Sequence, residues 1–153
     1  SKDFNNNELF EAISKTSAEK IYISTGLSSY LELDDLIPKL TSLDDRVRLI
    51  HTQLSNEIED VNLKAIEVMR GKYNVKVAYG HHCVDKNVVY TSIGQSPEDI
   101  FFYIKGDDNM NYPDDFHAIS INIIDEFVDN IKNLRKSIGD GNKVLTENNL
   151  RKG

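Results

Sequence analysis

At 153 residues the chain is long enough for one domain with a sizeable core, and too short for a complete eight-stranded α/β barrel, which typically takes about 250 residues. A hydrophobic content of 39% and a charged content of 28% argue against disordered and membrane classes, and a net charge of -7 with scattered Lys and Arg argues against nucleic acid as a partner. The stretch "SKDFNNNELF" lacks the apolar run of a signal peptide and one cysteine cannot build a disulfide framework, so composition predicts a cytoplasmic protein with no membrane partner.

Leu9, Phe10 and Ile13, spaced by three and four after a polar start at Asn5 to Asn7, predict a first helix. "KIYISTG" is a short β-rich run closed by Gly26. Ser29 stands three residues before Glu32 in a capping-box pattern, and Leu33, Leu36, Ile37 and Leu40 continue an apolar helical face that Pro38 kinks or shortens. "VRLIH" is a second strand, and Val61, Ala65, Val68 and Met69 mark the buried face of the helix after it. "VKVAYG" is a third strand. Val88, Val89 and Ile93 fit either a short helix or an extended segment. "DIFFYI" reads as a fourth strand with apolar residues on both faces, the pattern of a parallel sheet covered on both sides. A last helix is predicted with Asn122 as its cap, Asp125 and Glu126 in its first turn, a stripe of Ile124, Phe127, Val128, Ile131 and Leu134, and an end at Gly139. The tail from Lys143 has no periodicity.

Strands alternating with helices predict a parallel α/β sheet or a sector of an α/β barrel, in which functional groups come from the C-terminal strand ends. Those ends carry Ser24-Thr25-Gly26, His51-Thr52-Gln53, Gly80-His81-His82-Cys83 and Lys105-Gly106-Asp107-Asp108. The first is either an anion cradle, with a hydroxyl and free amides, or an ordinary turn. His51, His81 and His82 could bind a transition metal or shuttle protons. If the strand stays extended, however, His81 and His82 point to opposite faces and one of them is structural. No HxH, HExxH or paired CxxC spacing indicates structural zinc, and a lone cysteine such as Cys83 is more often inert packing than a nucleophile. "GDDNMNYPDDFHAIS" gathers Asp107, Asp108, Asp114, Asp115 and His117 in one loop that either grips hydroxyls or is simply solvated.

Taken in order, "YISTGLSSYLELDD", "LIHT", "EDVNLKAI", "VAYGHHC", "DDNMNYPDDFHAIS" and "LRKSIGDGNK" resemble the sialic acid synthase (N-acetylneuraminate synthase) family. The resemblance covers most of the chain and corresponds to the C-terminal half of that family's (β/α)8 barrel, stopping before its antifreeze-like domain. It implies a partial, TIM-barrel-like α/β domain of about four parallel strands over residues 1–142, with 143–153 as a C-terminal tail.

Enzymes of the family are transferases of carbohydrate biosynthesis. They condense phosphoenolpyruvate with an N-acetylated amino sugar and use a divalent metal, manganese or magnesium, to polarise the sugar aldehyde. By the resemblance, Ser24 holds phosphoenolpyruvate with Thr25 and Gly26 beside it, His82 is a metal ligand, and Asp114 and His117 contact the sugar. The family's Ser-Asp-His-Thr is Gly80-His81-His82-Cys83 here, and an ungapped alignment puts Ile104 where a second metal-binding histidine stands. The resemblance therefore implies weak metal binding and a chain inactive by itself. The alternative is a non-catalytic module that binds a sugar, a phosphoenolpyruvate-like anion or another protein. An incomplete barrel further implies self-association or a partner chain that completes the sheet.

Overall fold

The computed structural model describes residues 6–106 and 109–150. Helix α1 (Asn7–Ser14) starts at Asn6, whose side chain accepts a hydrogen bond from the Leu9 amide at 3.0 Å. Strand β1 (Ile21–Ser24) is followed by α2 (Tyr30–Leu36), and the predicted capping box is made: Ser29 Oγ accepts from the Glu32 amide while Glu32 accepts from the Ser29 amide. Pro38 lacks the amide an α-helix requires, and the chain continues from Ile37 to Arg46 as a tighter 3-10 helix.

Strands β2 (Val47–Thr52) and β3 (Lys76–Gly80) flank α3 (Lys64–Tyr73). The buried face of α3 is Ala65, Ile66 and Met69, whereas Val68, expected inside, is 50% exposed. At about 100° per residue, Ile66 and Met69 centre the buried stripe and carry Val68 past its edge. The ambiguous stretch after β3 is α4 (Asn87–Ser92), continued by a 3-10 turn, with Val88, Val89 and Ile93 buried.

The predicted fourth strand is divided. Strand β4 (Ile100–Phe101) pairs with β3, and β5 (Ile104–Lys105) pairs in parallel with β6 (Ile119–Ser120). The segment changes partner midway: the His81 amide donates to the Phe101 carbonyl at 2.9 Å, and the Ile119 amide donates to the Tyr103 carbonyl at 2.8 Å. Phe101, Tyr103 and Ile104 are therefore exposed rather than sandwiched.

Helix α5 (Ile124–Ile138) ends at Gly139 as expected. Its approach is capped by Ser120, whose hydroxyl accepts from the Asn122 amide, and not by Asn122. Phe127 is its buried anchor; Leu134, assigned to the stripe, is exposed. The tail forms one short helix, α6 (Glu147–Leu150).

The main sheet is parallel in the sequential order β1-β2-β3-β4. Side chains alternate across it. Leu49, Val77 and Tyr79 belong to the fully buried core with Leu33, Leu36, Ile66, Met69, Val89 and Phe127. The other face curls inward. Although β1 and β4 are the outer strands, the Tyr22 and Phe101 rings meet edge to face at 4.9 Å, and the Tyr22 hydroxyl donates to Asp99 at 2.8 Å. Thus one end of each strand opens into a concave, barrel-like interior. Among the described residues, no helix is long and apolar enough to cross a membrane.

Candidate functional site

On the concave face, Ser24, Ile50, Thr52 and Gly80 follow one another across three strands, since Ser24 registers with Ile50 and Thr52 with Gly80. With His82 and the aromatic run Phe101, Phe102 and Tyr103 they line a cavity of about 290 Å³ at the C-terminal strand ends. Gly80 is required by closeness: a Cβ there would lie 2.9 Å from Ile50 Cγ2 and 3.1 Å from Thr52 Cβ. The Thr52 hydroxyl is buried against this glycine without a hydrogen-bond partner. An unpaired buried hydroxyl costs free energy, so it is a group poised for a ligand or a water.

Of the three residues expected to cradle a phosphate, only Ser24 reaches this cavity. The Thr25 hydroxyl is buried and donates to the Ile50 carbonyl at 2.9 Å, which commits it to joining β1 to β2. Gly26 lies against Thr52, where a Cβ would come within 2.9 Å of Thr52 Cγ2. These two residues shape the turn, and of the three only Ser24 lines the cavity.

The four histidines divide. His51 is buried and its Nε2–H donates to the Val61 carbonyl at 2.9 Å; burial lowers its pKa, so it is a neutral structural ring tying β2 to the following loop. His81 is also buried. Its Nδ1 shares a 3.1 Å hydrogen bond with the Tyr79 hydroxyl, while Nε2 has no partner. Desolvation, then the nearby His117 and His82 rings, push its pKa down to about 4. Because β3 ends at Gly80, extended geometry does not persist, and both His81 and His82 border the cavity.

His82 meets rings from two directions, Tyr103 at 5.4 Å and His117 at 5.1 Å. His117 is 3% exposed, contacts Tyr103 and Phe116, and has no hydrogen-bond partner at either ring nitrogen. Desolvation, reinforced by the His82 charge and opposed by Asp114, lowers its pKa. The pairing of β5 with β6 positions it, since Ile119 is anchored to Tyr103 two residues further on.

Asp114 stands exposed in a left-handed conformation (φ 60°), outside the cavity lining, and Asp115 forms an ion pair with Lys105 at 2.9 Å. Asp107 and Asp108 lie outside the described residues. Cys83 is buried, with the Asp85 amide donating to its Sγ, as inert packing predicts. The contribution of the segment Phe101–Tyr103 was hidden in the sequence, because a run read as a doubly buried strand has no face left for a ligand. Its Tyr103, not Ile104, meets His82. Ile104 is 53% exposed and does not line the cavity.

Residues 1–143 match the profile of the NeuB family. The chain belongs to that family. It is 30% identical over 141 residues to the uncharacterized protein MJ1065 of Methanocaldococcus jannaschii, covering 89% of this chain and 41% of that protein. It is 23% identical over 134 residues to the N,N'-diacetyllegionaminic acid synthase of Campylobacter jejuni, covering 84% and 40%. The crystal structure of N-acetylneuraminic acid synthetase from Leptospira borgpetersenii in complex with citrate superimposes with a TM-score of 0.84 at 20% identity, covering 99% of this chain and 53% of that one. A putative spore coat polysaccharide biosynthesis protein E from Chromobacterium violaceum gives 0.80 at 14% identity, with 99% and 46% covered. These structures share the fold, and the chain spans about two-fifths of the length of the curated relatives it matches.

The resemblance to metal-dependent enzymes raises the question of a metal. Among the described residues, no three His, Cys, Asp or Glu side chains come together to hold an ion. Among the described residues, the nitrogen donors in this region are the imidazoles of His81, His82 and His117, whereas manganese and magnesium favour carboxylate, carbonyl and water oxygens.

Proposed function

We propose that this chain is a sialic acid synthase-like domain whose strand-end cavity binds a small polyoxygenated anion, of the phosphoenolpyruvate or sugar-acid class, without by itself carrying out the condensation. The observation that carries this reading is the cavity lining. Ser24 and the unpaired Thr52 hydroxyl supply polar contacts and Phe101 to Tyr103 an aromatic wall, but no Lys or Arg is among the described residues that border it. Condensation with phosphoenolpyruvate develops charge that must be neutralised, and removing a single such donor commonly costs about 10²- to 10³-fold in rate. The citrate complex of the Leptospira relative, itself a complex with a polycarboxylate, supports an anion as ligand class.

The sheet is open at β1 and at β4 among the described residues, so the cations would come from chain or partner beyond this sector, by self-association or through a second polypeptide. Two measurements test the reading. The purified 153-residue chain, given phosphoenolpyruvate, N-acetylmannosamine and manganese, should release no phosphate above background. Calorimetry should detect weak phosphoenolpyruvate binding that Ser24→Ala diminishes. Steady phosphate release that disappears in Ser24→Ala would overturn the non-catalytic part, and absence of any anion binding would overturn the rest.

A further inference from the structure

We infer that the Nε2–H of His81, held in that form by the Tyr79 hydroxyl, is a hydrogen-bond donor of the strand-end cavity and selects its ligand by an oxygen acceptor. The inference rests on the anion-binding reading. It adds a residue that the family resemblance does not supply, since the matching position of Ser-Asp-His-Thr is an aspartate. A carboxylate at this place accepts hydrogen bonds, whereas an imidazole N–H gives one.

The first observation is which groups of the cavity lack partners. Among the described side chains that border it, two carry a buried polar atom with no hydrogen-bond partner: Thr52 at its hydroxyl and His81 at Nε2. They stand on neighbouring strands, because Thr52 registers with Gly80, the residue before His81. Leaving such groups unpaired costs free energy, and His81 is only 1% exposed. Two unsatisfied groups at one cavity mark the place where the acceptor oxygens of a ligand complete them.

The second observation fixes which nitrogen of His81 carries the proton. Tyr79 is buried, and among the described residues its hydroxyl has one partner, the His81 Nδ1 at 3.1 Å. If the proton sat on Nδ1 alone, the hydroxyl would accept it and its own proton would be left buried without an acceptor. If the hydroxyl donates to Nδ1, the phenol is satisfied and the imidazole proton lies on Nε2. A doubly protonated ring carries a proton there as well, so the donor does not depend on the charge of the ring. The other groups of His81 are committed. Its amide donates to the Phe101 carbonyl at 2.9 Å and its Nδ1 edge faces Tyr79, which leaves the Nε2 edge for the cavity. Tyr79 itself belongs to the core with Leu49 and Val77, so the packing of the outer face of the sheet sets the phenol, and the phenol acts as a positioning residue.

The test uses the whole chain, with phosphoenolpyruvate as the probe. Proton–nitrogen correlation spectra of the imidazoles, simple because the chain has 4 histidines, should place the His81 proton on Nε2, and phosphoenolpyruvate should shift that signal. Tyr79→Phe keeps the ring and removes the hydroxyl, so the form protonated at Nδ1 should appear. By calorimetry, His81→Leu should weaken phosphoenolpyruvate roughly tenfold or more, as expected for a lost hydrogen bond to a charged group. His81→Gln carries an amide N–H of similar reach and should recover part of that loss, which a merely structural role of the ring would not produce. Because these positions are buried, the wild-type spectra decide if the variants do not fold. A His81 proton on Nδ1 alone, a His81 signal unmoved by bound phosphoenolpyruvate, or an affinity unchanged in His81→Leu would overturn the inference and leave the anion-binding reading standing. Absence of binding to the wild-type chain would overturn both.

Discussion

The sector from Ile21 to Gly80 and the segment from Ile100 to Ser120 are built by different means. In the first, strands of four to six residues pair along continuous parallel ladders, and Leu49, Val77 and Tyr79 of their outer face are buried in the same core as Leu33, Leu36, Ile66 and Met69 of the helical segments. In the second, three two-residue strands change partners, and much of the order comes from rings: His117 meets Phe116, Tyr103 and His82, and His82 meets Tyr103. Regular hydrogen bonding and apolar burial make a stable platform. An irregular segment laid across its rim can hold polar rings where a uniform strand would have buried apolar ones. The division of labour between scaffold and strand-end loops is the one expected of barrel-derived folds.

The comparison predicts that stability is concentrated in the first region. Leu49 has no exposed surface and sits at the centre of β2, so Leu49→Ala should cost roughly 3–4 kcal/mol through lost transfer energy and the cavity left behind. Urea unfolding measures it. A loss below about 1 kcal/mol would mean the platform is looser than its packing implies.

The next effect is pH, acting inside the first region and at its edge. Burial holds His51 below its ordinary pKa, and burial together with the His117 and His82 rings holds His81 at about 4, against 6.5 for a free ring. The unfolded chain therefore takes up protons first as pH falls. Stability is fully present above about 6.5 and declines toward 4, and for His81 alone the shift corresponds to roughly 3 kcal/mol. Urea curves at pH 7 and pH 5 should differ accordingly, with the more acidic sample weaker. Equal stabilities would show that these rings protonate without leaving their sites.

At the boundary between the regions, Gly80→Ala inserts a methyl group 2.9 Å from Ile50 Cγ2, with Thr52 close behind. Overpacking of this kind costs about 1–3 kcal/mol. Both neighbours face the cavity, so the variant should also weaken any ligand there. Loss of stability with unchanged phosphoenolpyruvate binding would separate the strand from the site.

How much of this was legible in the sequence follows the same boundary. The Ser29–Glu32 capping box, the strands at Val47 and Lys76 and the Asn6-capped first helix are local, periodic signals, and local physics sets them. Val68 was misplaced because a stripe of four apolar positions does not reveal its own centre. "DIFFYI" was misread because an apolar run cannot report a change of strand partner. The site shows the same limit: the position of Ser24 was foreseeable from strand-end logic, but the commitment of the Thr25 hydroxyl to Ile50 and the meeting of His117 with His82 depend on contacts 25 and more residues away in sequence. Tyr103, one residue from the aligned Ile104, shows how a single-residue register decides which side chain faces the cavity.

The smallest effect on stability is also the one that most sharpens the contrast. Phe116 is 56% exposed, yet its ring stands edge-on to His117 at 4.9 Å. A half-exposed phenyl group contributes little burial, so Phe116→Ala should cost less than about 1 kcal/mol, well under the 3–5 kcal/mol typical of a buried phenylalanine. Its removal should nevertheless shift the His117 ring resonances, because an aromatic neighbour is lost and water gains access. If stability falls as steeply as in Leu49→Ala, the aromatic segment is part of the core and the proposed division fails. If neither stability nor the His117 signal moves, Phe116 plays no part in shaping the histidine's surroundings. A small loss of stability with a large change at His117 would show that the rings of this segment serve the site more than the fold.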